Sequence, residues 1–158
     1  MGPAESVKTC LRKYVDFGGR APRSEFWWFI LVTTIISGLL SLVDGAVVAL
    51  EKIPFDPLSM LFNLSVYIPS LSVTWRRFHD CGRPGWYALL VILAPLLLMP
   101  AALAYYVFAS PDFIIFLLLG IGGFLYVAAI IYYFIIPLVQ PGSESENRYG
   151  PPPVAQGL

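Results

Sequence analysis

Charge is scarce in this chain, and chemically capable side chains are scarcer still. Charged residues make up 13% of the 158 positions, histidine occurs once and cysteine twice. Soluble globular domains carry about 25% charged residues, so an ordinary soluble domain is excluded. One histidine with two widely separated cysteines cannot converge the three or four ligands that zinc requires, and no metal or cofactor is expected. No nucleic-acid partner is expected either. Cys10 and Cys81 fall on the side assigned below to the cytoplasm, where thiols stay reduced, so no disulfide is expected.

What is abundant is apolar sequence, 58% of the chain. A helix crosses the bilayer core with about 20 apolar residues. Four segments qualify, at about 26–50, 57–75, 86–109 and 113–138. The polar N-terminal stretch lacks the short apolar region of a cleaved signal peptide. The reading is an all-α polytopic membrane protein, with residues 1–150 as one four-span domain and 151–158 as a disordered tail. Lys8, Arg12, Lys13, Arg20, Arg23, Arg76, Arg77, Arg83 and Arg148 all fall on one side of this arrangement, against Lys52 alone on the other. Such a bias makes both termini and the central loop cytoplasmic. Trp27, Trp28, Trp75 and Trp86 map to the same interface, where indoles anchor. Residues 5–17 place Val7, Leu11, Tyr14 and Val15 at helical spacing among basic residues, a short amphipathic helix for the cytoplasmic leaflet.

Asp44 looks like an intramembrane charge, yet eighteen residues beyond Phe26 is roughly 27 Å, near the outer surface. A solvated or Gly45-assisted helix end is therefore expected rather than an ion relay. Pro69, Pro95 and Pro100 should kink or break helices and free carbonyls that need partners. The second span is rich in hydroxyls and should pack against Gly120 and Gly123, or Ser37 and Ser41. A faint internal repeat pairs Gly-Arg and Pro ahead of Trp27 with Gly82-Arg83-Pro84 ahead of Trp86.

Two constellations hold the remaining chemistry. One is Gly19-Arg20-Ala21-Pro22-Arg23-Ser24-Glu25, and the other is the charged loop expected at 75–86, containing Arg76-Arg77-Phe78-His79-Asp80-Cys81-Gly82-Arg83. Basic residues here are what topology alone requires. Arginine is used five times and lysine never, which favours planar, multidentate contacts to carboxylate or phosphate. Glu25 and Asp80 are expected to pair with Arg76, Arg77, Arg20 or Arg23 and brace the two stretches. The surplus of positive charge, Arg83 included, suits an anionic lipid headgroup. His79 beside Asp80 suggests general acid or base chemistry on a lipid phosphate, but adjacent side chains point apart and no nucleophile is activated. A non-enzymatic binder of anionic lipid or of a protein partner is favoured, with a homo-oligomer open. The alternatives are a small transporter or channel subunit and an enzyme acting on a lipid phosphate.

Three blocks in order, Gly19-Arg20 with Arg23-Ser24-Glu25-Phe26-Trp27, then Arg76 to Asp80 with Gly82 and Gly85-Trp86, then Asn147-Arg148-Tyr149-Gly150, resemble the domain of unknown function 805 family. The resemblance covers about residues 8–153. Pro22 and Pro84 depart from the family pattern and stiffen loops without removing a charged member, and Ser143-Glu144-Ser145-Glu146 leads into the last block. The family implies a small multi-span protein of the bacterial plasma (inner) membrane and supplies no agreed activity. It also implies that Arg148 and Tyr149, with Asn147, fold back onto the cluster of Glu25, His79 and Asp80.

Overall fold

The computed structural model describes residues 1–51, 57–89, 121–122, 125 and 128–153. Almost all of the third expected span and much of the fourth lie outside these residues, as do Pro95, Pro100, Gly120, Gly123 and most of the second hairpin that follows the repeat's Trp86. The described residues are helical and contain no strand beyond an isolated bridge between Asn147 and Gly150. Helix α1 covers Pro3–Arg12, α2 Arg23–Glu51 and α3 Pro57–Asp80. A π-helical turn, Ile131–Ile135, leads into the short α4, Ile136–Val139.

Helices α2 and α3 are each long and apolar enough to cross a membrane. At 29 residues, α2 is about 43 Å long. α3 runs without interruption through Pro69. Proline lacks the N–H that would reach the carbonyl four residues back, and that freed Ser65 carbonyl accepts a hydrogen bond from the Tyr14 hydroxyl. Hydroxyls within the apolar stretches bond to their own helix: Thr33 donates to the Phe29 carbonyl, Ser70 to Val66 and Thr74 to Ser70.

Three local expectations are corrected. First, residues 75–80 are not a loop. α3 continues through Arg76-Arg77-Phe78-His79-Asp80, because no breaker occurs before Gly82. The helix ends there in a Schellman motif: Arg83 N–H donates to the Phe78 carbonyl and Gly82 N–H to that of His79, each at 3.0 Å, with Gly82 at φ +71°. Second, α1 stops at Arg12 rather than running on to residue 17. Its Ser6 and Cys10 are buried against α2 and α3, and Ser72 of α3 holds the chain after it by donating to the Lys13 and Asp16 carbonyls. Third, Asp44 is not solvated. Fully buried, it accepts from the Leu58 and Ser59 amides at 3.0 and 2.7 Å and from the Ser59 hydroxyl at 2.7 Å. A side chain of α2 thus caps the first turn of α3, where Pro57 needs no amide partner.

The buried apolar residues gather where α1, the start of α2 and the end of α3 meet: Cys10, Ala21, Phe26, Phe29, Val73, Phe78, Ala88 and Leu138. Trp27, Trp28 and Trp86 are exposed. Trp75 is half-buried, with Phe17 edge-on at 5.6 Å, and a Cβ on Gly85 would collide with its indole.

Candidate functional site

Helical continuity through residues 75–80 puts Arg77 and Asp80 three residues apart on one face, where they pair, while Arg76 and His79 turn to other segments. Arg76 points at the start of α2, where its Nη1 donates to Glu25 Oε1 at 2.6 Å. The Arg76 side chain is 0% exposed and that of Glu25 4%. Cys10 of α1 joins them, its thiol donating to the same Glu25 oxygen at 3.7 Å. Burial first, then the Glu25 charge, pushes this thiol from its ordinary 9.0 up to about 12, against the opposing pull of Arg76. Cys10 is therefore a protonated donor linking α1 to α2.

Asp80 is clamped by two arginines. Arg20 Nε donates to Oδ1 at 2.9 Å, and Arg77 Nη1 donates to Oδ2. The remaining Arg20 donors reach the tail: Nη1 donates to the Ser145 and Gly150 carbonyls at 2.9 and 3.3 Å, and Nη2 to that of Ser143. Ser143 N–H returns a bond to the Asp80 carbonyl at 3.0 Å. The tail passes so close that a Cβ at Gly142 would overlap the Asp80 carboxylate. The Ala21 amide donates to the Arg76 carbonyl at 3.1 Å and sets the Arg20 segment against α3.

His79 is held on two sides. Its Nδ1 lies 3.1 Å from the Gly19 carbonyl, and its ring stacks on Tyr149 at 3.7 Å with 4° between planes. Asn147 donates to the His79 carbonyl at 3.0 Å and accepts from the Tyr149 amide at 2.9 Å, forming the turn that presents the tyrosine. The Arg148 guanidinium lies over the Tyr149 ring, 4.7 Å from its centre.

The end of α4 completes the assembly. The last carbonyls of a helix have no partner of their own. Here Cys81 Sγ donates to the Pro137 carbonyl at 3.1 Å, Trp27 Nε1 to Leu138 at 3.2 Å, Arg23 Nη1 to Val139 at 3.2 Å and Arg77 Nη2 to Gln140. Pro137 also frees carbonyls a turn earlier, and Arg83 Nη1 approaches those of Tyr132 and Tyr133 at 3.4 and 3.5 Å. Cations around this terminus also oppose the negative end of the helix dipole.

The structure thus brings Arg20, Glu25, Arg76, Arg77, His79, Asp80 and Asn147 together. It also separates the arginines by exposure. Arg20, Arg76 and Arg77 face inward with side chains 1%, 0% and 0% exposed. Arg23 and Arg148 are exposed and Arg83 half-buried. Three enclosed guanidiniums against two carboxylates leave one positive charge inside, and Arg76 Nε, Arg76 Nη2 and Arg77 Nε have no hydrogen-bond partner among the described residues. No group of three His, Cys, Asp or Glu side chains there is arranged to hold a metal. Sequence reasoning missed Cys10, Trp27, Cys81 and Gly142, whose partners are mostly carbonyls or a close approach. The proline and glycine at 141–142 are the one sequence signal for the sharp passage at Asp80.

The braced helix end and the returning tail coincide with the extent of a family match. A model described as "Protein of unknown function (DUF805)" matches residues 14–151. The chain belongs to this family. Among its relatives, the inner membrane protein YhaH of Escherichia coli K12 is 31% identical over 143 residues, 90% of this chain and 91% of that protein. Inner membrane protein YhaI of the same strain is 40% identical over 80 residues, covering 51% of this chain and 64% of YhaI. YiiR from that strain is 27% identical over 144 residues, covering 85% and 84%. No solved structure matches. All three sequence blocks of this DUF805 chain, from Gly19 to Gly150, fall inside the matched region and meet at the cluster around Asp80.

Proposed function

We propose that this chain is a non-enzymatic, four-span protein of the bacterial inner membrane, with residues 1–150 as one domain and both termini cytoplasmic. Its braced cluster presents Arg23, Arg83 and Arg148 to anionic lipid headgroups. The observation that carries this reading is the sorting of the arginines. Those facing acids are enclosed, while among the described residues Arg23, Arg83 and Arg148 contact carbonyls or a ring and stay exposed or half-buried at the rim, near exposed Trp27, Trp28 and Trp86. Indoles mark headgroup depth, and a guanidinium at that depth meets phosphate. The inner-membrane assignment is supported by the names of YhaH and YhaI. His79 has its Nδ1 beside a carbonyl and a ring face covered by Tyr149, a poor arrangement for acid or base work.

Native mass spectrometry of protein from nanodiscs of mixed phosphatidylglycerol and phosphatidylcholine tests this reading. The wild type should retain phosphatidylglycerol preferentially, and joint Arg23→Gln, Arg83→Gln and Arg148→Gln should remove the preference. Equal retention in both proteins would overturn it. One observation favours the transport alternative: a groove of about 530 Å³ between α2 and α3, mostly apolar in surface but carrying the side chains of Thr34, Ser37, Ser41, Asn63 and Ser70. Solute flux in proteoliposomes that Asn63→Leu blocks would establish that second activity.

A further inference from the structure

A second groove, of about 570 Å³, runs between α1 and α2 and takes no part in the arginine cluster. Its walls are Pro3, Ala4, Val7 and Leu11 of α1 and Val32 of α2, and among the described residues Lys8 is the one charged group lining it. The chemistry is therefore apolar along its length with a single cation. α1 cannot close the groove, because its Ser6 and Cys10 side is pinned to the protein: Cys10 bonds to Glu25, and Ser6 Oγ donates to the Ser24 carbonyl at 3.4 Å. Depth is set by α2. Exposed Trp28 lies about one helical turn before Val32 on the same face, so Val32 sits about 6 Å below the level that an interfacial indole marks. The groove thus starts at headgroup depth and leads into hydrocarbon. On α1, exposed Lys8 and Arg12 lie one turn apart, against the single acid Glu5.

We infer that this groove seats an acyl chain of one anionic phospholipid, with its phosphate at Lys8. The chain covers Val7, Leu11 and Val32, which would otherwise line an empty slot, and the phosphate neutralises the lone cation at the mouth. Charge complementarity selects an anionic lipid over a zwitterionic one, and the apolar walls select a lipid over a free phosphate or an acidic peptide. This site rests on α2 spanning a membrane and is independent of the arginine rim.

The test uses the full chain in nanodiscs of equal phosphatidylglycerol and phosphatidylcholine, read by native mass spectrometry. Leu11→Trp fills the groove and should abolish one tightly retained lipid per chain. Lys8→Gln should keep a lipid but lower the preference for phosphatidylglycerol about fivefold. Unchanged retention in Leu11→Trp, or unchanged preference in Lys8→Gln, would overturn the inference. Loss confined to the Arg23, Arg83 and Arg148 variants would place the lipid at the rim, sinking the groove while leaving the proposed function standing. Loss confined to Leu11→Trp does the reverse. Should Leu11→Trp fail to fold, a phosphatidylglycerol with a photoreactive group on its acyl chain settles the matter on wild type. Labelling of Val7, Leu11 or Val32 is expected, and labelling that avoids all three contradicts the site.

Discussion

The two ends of the α2 and α3 pair are closed by opposite chemistry. At one end a single carboxylate, Asp44, meets two amides and a hydroxyl at the start of α3. At the other, Arg20, Arg76 and Arg77 meet Glu25, Asp80 and carbonyls of the returning tail. The difference follows from donor geometry. A carboxylate at a helix N-terminus is satisfied by amides that already lie side by side with the favourable end of the dipole. A guanidinium has five donors in a rigid fork, more than one neighbour supplies, so it collects acceptors from several segments at once. One end therefore ties two helices, whereas the other ties α1, α2, α3, α4 and the tail.

The largest effect expected from breaking this contrast comes from Asp80→Ala, which strips the acid from two buried arginines. Loss of one partner of a buried pair costs about 3–5 kcal/mol, and unfolding in detergent should show at least that or no folded protein. Gly142→Ala comes next, forcing a methyl into the Asp80 carboxylate for about 1–3 kcal/mol. Limited proteolysis should then release residues 140–150 while α2 and α3 stay intact. Glu25→Gln keeps an acceptor for Arg76 but removes its countercharge, a loss of about 1–3 kcal/mol by the same unfolding measurement. Asp44→Asn should be milder and local, with faster hydrogen exchange at the Leu58 and Ser59 amides and none at the Arg20 end. If Asp44→Asn loosened the tail as well, the two ends would not be independent.

The smallest effect is visible only in alkali. Cys10 binds its proton more tightly folded than unfolded, so its contribution is complete below about pH 9 and is lost as pH rises toward about 12. At pH 8 the Cys10 thiol should resist alkylating reagents that modify unfolded chain, and Glu25→Gln, by removing a charge that raises the thiol, should make it more reactive. Rapid labelling of wild-type Cys10 under native conditions would contradict its buried, protonated state.

Composition and periodicity were enough to identify the long apolar helices α2 and α3, and arginine without lysine marked the stretches that meet. Helix continuity through Arg76 to Asp80 was not legible, because five polar or aromatic residues after an apolar run look like a boundary. Only Gly82, the first residue able to take a left-handed turn cheaply, ends the helix. Asp44 was located by counting but not explained, since its partners are backbone amides of a later segment. The same holds for Trp27, Cys81 and Arg83: each serves a main-chain carbonyl of residues 132–138, and carbonyls carry no sequence signature.

The hold of Arg20 on Ser143, Ser145 and Gly150 also imposes an order in time. Ribosomes deliver the arginine first and its acceptors more than 120 residues later. Throughout elongation Arg20 and Arg77 lack their tail carbonyls, and a chain that stops short of residue 140 never acquires them. Until the tail docks, both guanidiniums depend on Asp80 alone among these acceptors, so the helix end is finished only when residues 140–150 arrive.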